Sequence, residues 1–92
     1  MQPADYWQQL FESWPATFPA HGIVVTNYHE SIPFVNFMIN DGMVVLERDK
    51  PDSSDARKVI LPYASISALK ITATFDLDRF AELGFRVVNN EM

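Results

Sequence analysis

The sequence predicts a mainly β domain in which an N-terminal helix precedes a small, strongly bent antiparallel barrel and a short C-terminal helix. Three observations predict it. Residues 3–14 place apolar side chains at helical spacing, residues 21–72 alternate β-forming runs with turn residues, and residues 76–92 begin with a second short helical pattern. A chain of 92 residues is expected to form one domain.

Composition and charge narrow the function classes. The chain is 48% hydrophobic and has no cysteine, so it can bury a core but cannot form disulfides. Residues 1–5 contain no basic segment or apolar run of the signal-peptide type, and no apolar run approaches membrane-spanning length; we expect a soluble cytoplasmic protein. Net charge is −5, and residues 1–47 contain no Lys or Arg, so this half would repel a phosphate backbone.

The predicted helix, residues 3–14, has a wide aromatic stripe. Pro3 suits a first helical turn, and Asp5 complements the positive end of the helix dipole. The stripe consists of Tyr6, Trp7, Leu10, Phe11 and Trp14. It predicts a helix that packs on a sheet; the alternative is an exposed stripe that docks a partner. Pro15 ends the pattern.

The strands are organised around a hairpin at Asn40-Asp41-Gly42. Apolar, β-branched and aromatic runs flank this tripeptide, and Asp-Gly in that setting predicts a two-residue type I′ turn with φ > 0 at both central residues. The five predicted strands cover residues 22–28, 32–40, 43–48, 57–61 and 65–72. Gly84 is placed to end a C-terminal helix over residues 77–83, and residues 85–92 read as a tail or a short added strand.

Five short strands in about fifty residues suggest a partly open barrel of the SH3-like or OB-like kind. The second and third strands are apolar on both faces, so a second layer must cover their outer face. The helices can cover part of it. A second subunit that pairs with an edge strand could cover more.

Three stretches resemble the Sm-like family, and within it the Hfq-type proteins. Residues 18–25 are similar to the segment that enters the family's first strand. Residues 37–46 are similar to its second strand, tight turn and third strand, and residues 59–69 to its fourth strand, single-turn break and fifth strand. With the helix, the resemblance covers roughly residues 4–72.

The resemblance implies a homo-oligomeric ring in which the fourth strand of one subunit pairs with the fifth strand of the next. The edge residues would be Val59, Ile60, Leu61, Ile66, Ala68 and Leu69. It also implies single-stranded RNA as a candidate ligand, contacted from the turn and the break by Asn40, Asp41, Pro62 and Tyr63. Asn40 could bond a base edge, and Tyr63 could stack on a base.

One hairpin loop carries the only basic cluster, formed by Arg48, Lys50, Arg57 and Lys58 and interleaved with acids. One interpretation is cross-strand charge pairing, worth roughly 0.2–1 kcal/mol per pair. The other is a rim that contacts phosphates, in which Arg48 and Lys58 join the candidate RNA-binding residues.

No catalytic, cofactor or metal site is predicted. His21 and His29 lack zinc-ligand spacing and no cysteine is present. The loop acids Asp49, Asp52 and Asp55 lack the glycine and glutamate of a calcium loop. No phosphate-binding loop or nucleophile motif occurs, so we expect no enzyme.

The sequence therefore supports two main hypotheses. The first is a non-enzymatic Sm-like protein that forms a homo-oligomeric ring, with RNA as a candidate ligand. The second is an adaptor or structural module that binds protein and no nucleic acid. A small-ligand-binding barrel or a minor enzyme, with a pocket formed by Tyr63 and the Pro62 turn, is a third option that no feature favours.

Overall fold

A computed structural model describes residues 2–88. It contains one α-helix, six strands and two 3₁₀ segments. The elements are α1 (Pro3–Glu12), β1 (Gly22–Thr26), β2 (Ser31–Phe34), β3 (Asn36–Ile39), β4 (Met43–Glu47), β5 (Lys58–Pro62), a 3₁₀ turn (Tyr63–Ser65), β6 (Ile66–Lys70) and a second 3₁₀ segment (Leu77–Leu83).

The predicted helix is confirmed, although it ends two residues early. Asp5 accepts the Gln2 backbone N–H at 3.0 Å, so its carboxylate satisfies one free donor of the first turn. The helix ends at Glu12. The Gln9 carbonyl accepts both the Ser13 hydroxyl at 2.7 Å and the Ser13 backbone N–H at 3.0 Å, which closes the last turn.

The six strands form two separate three-stranded antiparallel sheets, with orders β2-β1-β6 and β3-β4-β5. The barrel prediction is therefore wrong: the domain is a small mixed α/β fold with no closed barrel in the described part of the chain. Strands that follow one another in the sequence pair within each sheet, except that β6 pairs with β1. The long second strand that the sequence predicts is two strands, which raises the number from five to six.

Val35 is the residue at which the chain leaves one sheet for the other. Phe34 pairs with Gly22 of β1, whereas the Val35 N–H already bonds the Glu47 carbonyl of β4 at 2.8 Å. Phe34 and Phe37 both pack into the core although they are three residues apart, which strict strand alternation does not allow. A bend at Val35 resolves the conflict and divides the strand.

The hairpin at residues 40–43 is confirmed, but its predicted type I′ turn is wrong. Neither Asp41 nor Gly42 has a positive φ. The Asn40 side-chain carbonyl instead accepts the N–H groups of Gly42 at 3.0 Å and Met43 at 2.8 Å. This side chain shapes the turn, so the glycine's left-handed conformation is not needed.

The core between α1 and the strands is rich in aromatic rings. Phe11 stacks on Trp14 at 5.7 Å between centroids and meets Phe37 edge-on at 5.0 Å. Its ring also lies 6.1 Å from that of Tyr63, on the break between β5 and β6. The apolar stripe of the helix therefore packs mainly inward, although Tyr6 stays exposed.

The predicted C-terminal α-helix is also wrong, because Leu77–Leu83 forms 3₁₀ turns. Its large apolar residues, Leu77, Phe80 and Leu83, recur every three residues, which matches the three-residue turn of a 3₁₀ helix. Gly84 ends the segment in the left-handed conformation with φ 90°, as predicted. Residues 85–88 contain no strand, and the rest of the predicted tail lies outside the described residues.

Candidate functional site: open strand edges and an exposed apolar face

Strand β5 has no strand on its outer side in residues 2–88, so part of its backbone is available for pairing. Alternate residues of an antiparallel strand direct both N–H and C=O to the same side. The Arg48 N–H bonds the Arg57 carbonyl, which fixes the phase of the β4–β5 ladder. Because alternate residues of a strand face the same side, the backbone groups of Val59 and Leu61 also point toward β4. The N–H and C=O of Ile60 therefore point to the open side.

The same reasoning applies to β6, the outer strand of the other sheet. The Thr26 N–H bonds the Glu30 carbonyl, on the β2 side of β1. The neighbouring Val25 therefore faces β6, where its partner is Ala68. Leu69 comes next, so its N–H and C=O point to the open side of β6.

The other two outer strands, β2 and β3, are better protected as edges. In β2, Ile32 and Phe34 face β1 by the same alternation, so the outward position belongs to Pro33, which has no N–H to offer. In β3, the Asn36 side chain accepts the outward Phe37 N–H at 2.9 Å, which leaves Ile39 as the outward donor of that strand. Natural sheets use such devices to block unwanted strand pairing. The central open donors of β5 and β6, at Ile60 and Leu69, carry no such protection.

The outer face of the β3-β4-β5 sheet exposes a row of apolar side chains. Met38, Val45 and Ile60 lie side by side across the three strands. Met38 is 74% exposed and Ile60 65% exposed. Met43, paired with Pro62, extends the row toward the hairpin turn. We call these five residues the apolar row; a contiguous apolar surface of this kind is typical of a binding face.

A polar row borders this apolar row. Asn36, Glu47 and Lys58 occupy adjacent positions across the same three strands. The Lys58 ammonium lies 3.7 Å from the Glu47 carboxylate, as the charge-pairing interpretation predicts. Both side chains are about half exposed, so the pair contributes little to stability, about 0–1 kcal/mol. The contact places a carboxylate beside Lys58, one of the residues predicted to contact phosphate.

Arg48, a second member of the predicted basic cluster, also lies near an acid, Asp52. The Arg48 guanidinium donates through Nε to the Lys50 carbonyl at 3.2 Å. Backbone N–H groups of Ala56 and Ser54 hold the pKa of Asp52 below its ordinary value, and Arg48 lowers it further. Asp52 thus stays ionised beside Arg48, which weakens any phosphate-attracting field.

The candidate RNA-binding residues Asn40, Asp41, Pro62 and Tyr63 lie close together, because the Tyr63 N–H bonds the Gly42 carbonyl at 3.3 Å. Tyr63 itself is only 2% exposed. Burial raises the pKa of its phenol, and the nearby carboxylates raise it further. The hydroxyl donates to the Asn40 carbonyl at 3.4 Å. This ring has no open face on which a base could stack.

The remaining polar candidates have structural partners or turn positions. His21 Nδ1 lies 2.8 Å from the Thr72 hydroxyl, and His29 occupies a turn with φ 66°. Within residues 2–88 no cluster of three His, Asp or Glu side chains could hold a metal ion.

Sequence reasoning missed a second exposed apolar surface near the C-terminus. Leu77, Phe80, Phe85, Val87 and Val88 line an open groove of about 570 Å³. The apolar residues after Gly84 were the available signal. The sequence pattern predicts only a tail or a short added strand there.

No protein-family model, curated protein or solved structure matches this chain. The resemblance to the Sm-like family therefore stays a prediction from the sequence pattern. The described residues include no helix with the length and apolar character required to cross a membrane.

Proposed function

We propose that this chain is a non-enzymatic self-assembly module whose copies join through the outer edges of β5 and β6. The observation that carries the proposal is the pair of open edges, one on each sheet, with outward backbone groups at Ile60 and Leu69. Antiparallel pairing of β5 with β6 of the next copy would join two three-stranded sheets into one of six strands.

This pairing also gives the exposed Ile60 side chain a partner. Directly opposed residues of an antiparallel pair have side chains on the same face. If Ile60 lies opposite Leu69 of the next copy, the pair exchanges two backbone hydrogen bonds, and the Ile60 side chain lies beside Leu69, which is partly buried against the core of its own copy. Each backbone bond would contribute about 0.5–1.5 kcal/mol.

Because β5 and β6 are different surfaces, their contact is heterologous. Such contacts repeat from copy to copy and form a closed ring when the rotation between copies closes. This is the assembly that the resemblance to Sm-like proteins implies. RNA as the ligand gains no support from the site, since Tyr63 is buried and the chain carries a net charge of −5.

The apolar row favours a second candidate function, in which the chain is an adaptor that binds a different protein. Met38 is 74% exposed and lies two strands from the proposed junction. On this reading the isolated chain is a monomer, and the row is the docking surface.

The test compares Ile60→Pro with Ile60→Ala. Proline at position 60 removes an outward N–H but no β4–β5 hydrogen bond, so the domain should keep its fold by circular dichroism. Both variants lose the isoleucine side chain, and only proline loses the edge donor. We expect light scattering to show an assembled wild type, a weakened but assembled alanine variant and a monomeric proline variant.

Leu69→Pro removes the edge donor of β6 and should also give monomers; because the Leu69 side chain packs against the core, its matched control is Leu69→Ala. A proline variant at either position that folds and keeps the wild-type mass would contradict edge pairing. A monomeric wild type would remove the self-assembly proposal and favour the adaptor.

A further inference from the structure

We propose that Asp41-Gly42 is a latent site of isoaspartate formation and that the side chain of Asn40 restrains it. The inference rests on the geometry of the β3–β4 turn and is independent of the proposed assembly. The modification needs no cofactor or enzyme, because the reacting groups are the Asp41 carboxyl and the Gly42 backbone nitrogen.

The reaction proceeds in two balanced steps. The Gly42 nitrogen attacks Cγ of Asp41, a C–N bond forms, and the carboxyl oxygen leaves as water to give a five-membered succinimide. Water then opens the ring at either carbonyl. Opening at the side-chain carbonyl restores aspartate; opening at the backbone carbonyl yields isoaspartate, in which Cβ and Cγ of residue 41 belong to the main chain.

Steric access favours the attack at this dipeptide. Asp41 and Gly42 are both exposed. A methyl group built at Gly42 would meet no atom of a residue beyond its two chain neighbours within 4 Å, so the space beside this residue is open. The sequence contains no other Asp-Gly dipeptide.

The Asn40 side chain opposes the attack because it engages the nucleophile. Its carbonyl oxygen accepts the Gly42 N–H at 3.0 Å and the Met43 N–H at 2.8 Å. The amide must lose its proton to attack, and a proton held in a hydrogen bond is shielded from base. The Asn40 N–H also bonds the Met43 carbonyl at 3.0 Å, which fixes the turn on both sides of the reacting pair.

Isoaspartate would damage the hairpin. It adds one carbon to the main chain inside a two-residue loop, so the hydrogen-bonded pair of Asn40 and Met43 could no longer close. Met43, which belongs to the exposed apolar row, would lose its position.

The test compares wild type with Asn40→Ala during incubation at neutral pH and 37 °C, with isoaspartate at residue 41 quantified by peptide mapping. Loss of a single neutral hydrogen bond predicts accumulation about two- to tenfold faster in the alanine variant. Asn40→Asp keeps an acceptor oxygen and should return the rate toward wild type. Gly42→Ala crowds the nucleophile and should suppress the product.

Hydrogen exchange gives a readout that general destabilisation does not reproduce. In Asn40→Ala the Gly42 and Met43 amides should exchange faster, while core amides such as those of Val44 and Leu46 keep their wild-type rates. Equal isoaspartate accumulation in wild type and a folded Asn40→Ala variant would overturn the proposal. Unchanged exchange at Gly42 would overturn it as well.

Discussion

Gly22, the first residue of β1, allows the backbones of β1 and β6 to approach closely, and its replacement by alanine gives a quantitative test of the fold. A Cβ atom at Gly22 would lie 2.7 Å from the Lys70 carbonyl oxygen and 3.4 Å from the Phe34 ring. The first contact is with backbone, which cannot rotate away. The variant must therefore push β6 from β1 or move the strand end.

Gly42→Ala is the matched control, because a Cβ there would meet no atom within 4 Å. Neither glycine has a left-handed φ, so both substitutions restrict the unfolded chain to a similar degree. The difference between the two variants thus isolates the clash at Gly22. Overpacking of this kind costs about 1–3 kcal/mol, a large part of the roughly 5–15 kcal/mol that stabilises an ordinary domain.

The assay is urea denaturation at one fixed protein concentration, followed by tryptophan fluorescence. We expect the free energy of unfolding of Gly22→Ala to lie about 1–3 kcal/mol below that of Gly42→Ala. Equal values, within about 0.5 kcal/mol, would refute the close approach of β1 and β6 at this point.

Two further predictions test the helix and the C-terminal segment. Phe11→Ala should lower the free energy of unfolding by about 3–5 kcal/mol, because it empties the aromatic core beneath α1; urea denaturation that shows a loss below about 1 kcal/mol would contradict this packing. The Thr17 hydroxyl donates to the Glu82 carboxylate at 2.7 Å and, with Arg79, holds its pKa below the ordinary 4.5. Thr17→Ala should raise that pKa in an NMR titration, and an unchanged value would contradict the contact. Because the folded pKa is depressed, stabilisation by Glu82 is present above pH 4.5 and is lost as the pH falls through the folded pKa.

Local sequence signals predicted three features at the correct positions. The aromatic stripe of α1, the turn at residues 40–43 and the break after Pro62 appear where propensity and turn chemistry place them. Each of these signals lies within a few residues of sequence, and short-range sterics and hydrogen bonding decide the outcome. Even so, the turn type depended on a side-chain carbonyl at Asn40 that the Asp-Gly signal did not include.

Non-local features were not predictable in the same way. A sheet closes into a barrel only if its first and last strands pair, and the spacing of apolar residues in the sequence does not show whether they do. Val35 looks like an ordinary strand residue, yet the chain changes sheets there. The 3₁₀ form of residues 77–83 has a similar origin, since a segment this short cannot offset the cost of nucleating an α-helix and takes its shape from its contacts.

The predicted site residues also depend on packing. β5 and β6 are the outer strands of their sheets, but burial separates the six predicted edge residues. Ile60 is exposed, whereas Leu61 and Ile66 belong to the core. The sequence predicts that Tyr63 stacks on a base, but the ring packs beneath α1 against Phe11. Aromatic residues suit cores and binding sites equally, and only the packed structure distinguishes the two.

The solution mass of the wild-type chain tests the central claim most directly. Size exclusion coupled to light scattering, at micromolar concentration and physiological salt, should show a discrete multiple of the 10.5 kDa chain. A closed ring of five to seven copies corresponds to roughly 50–75 kDa. A single species at 10.5 kDa across the concentration range would contradict assembly through β5 and β6.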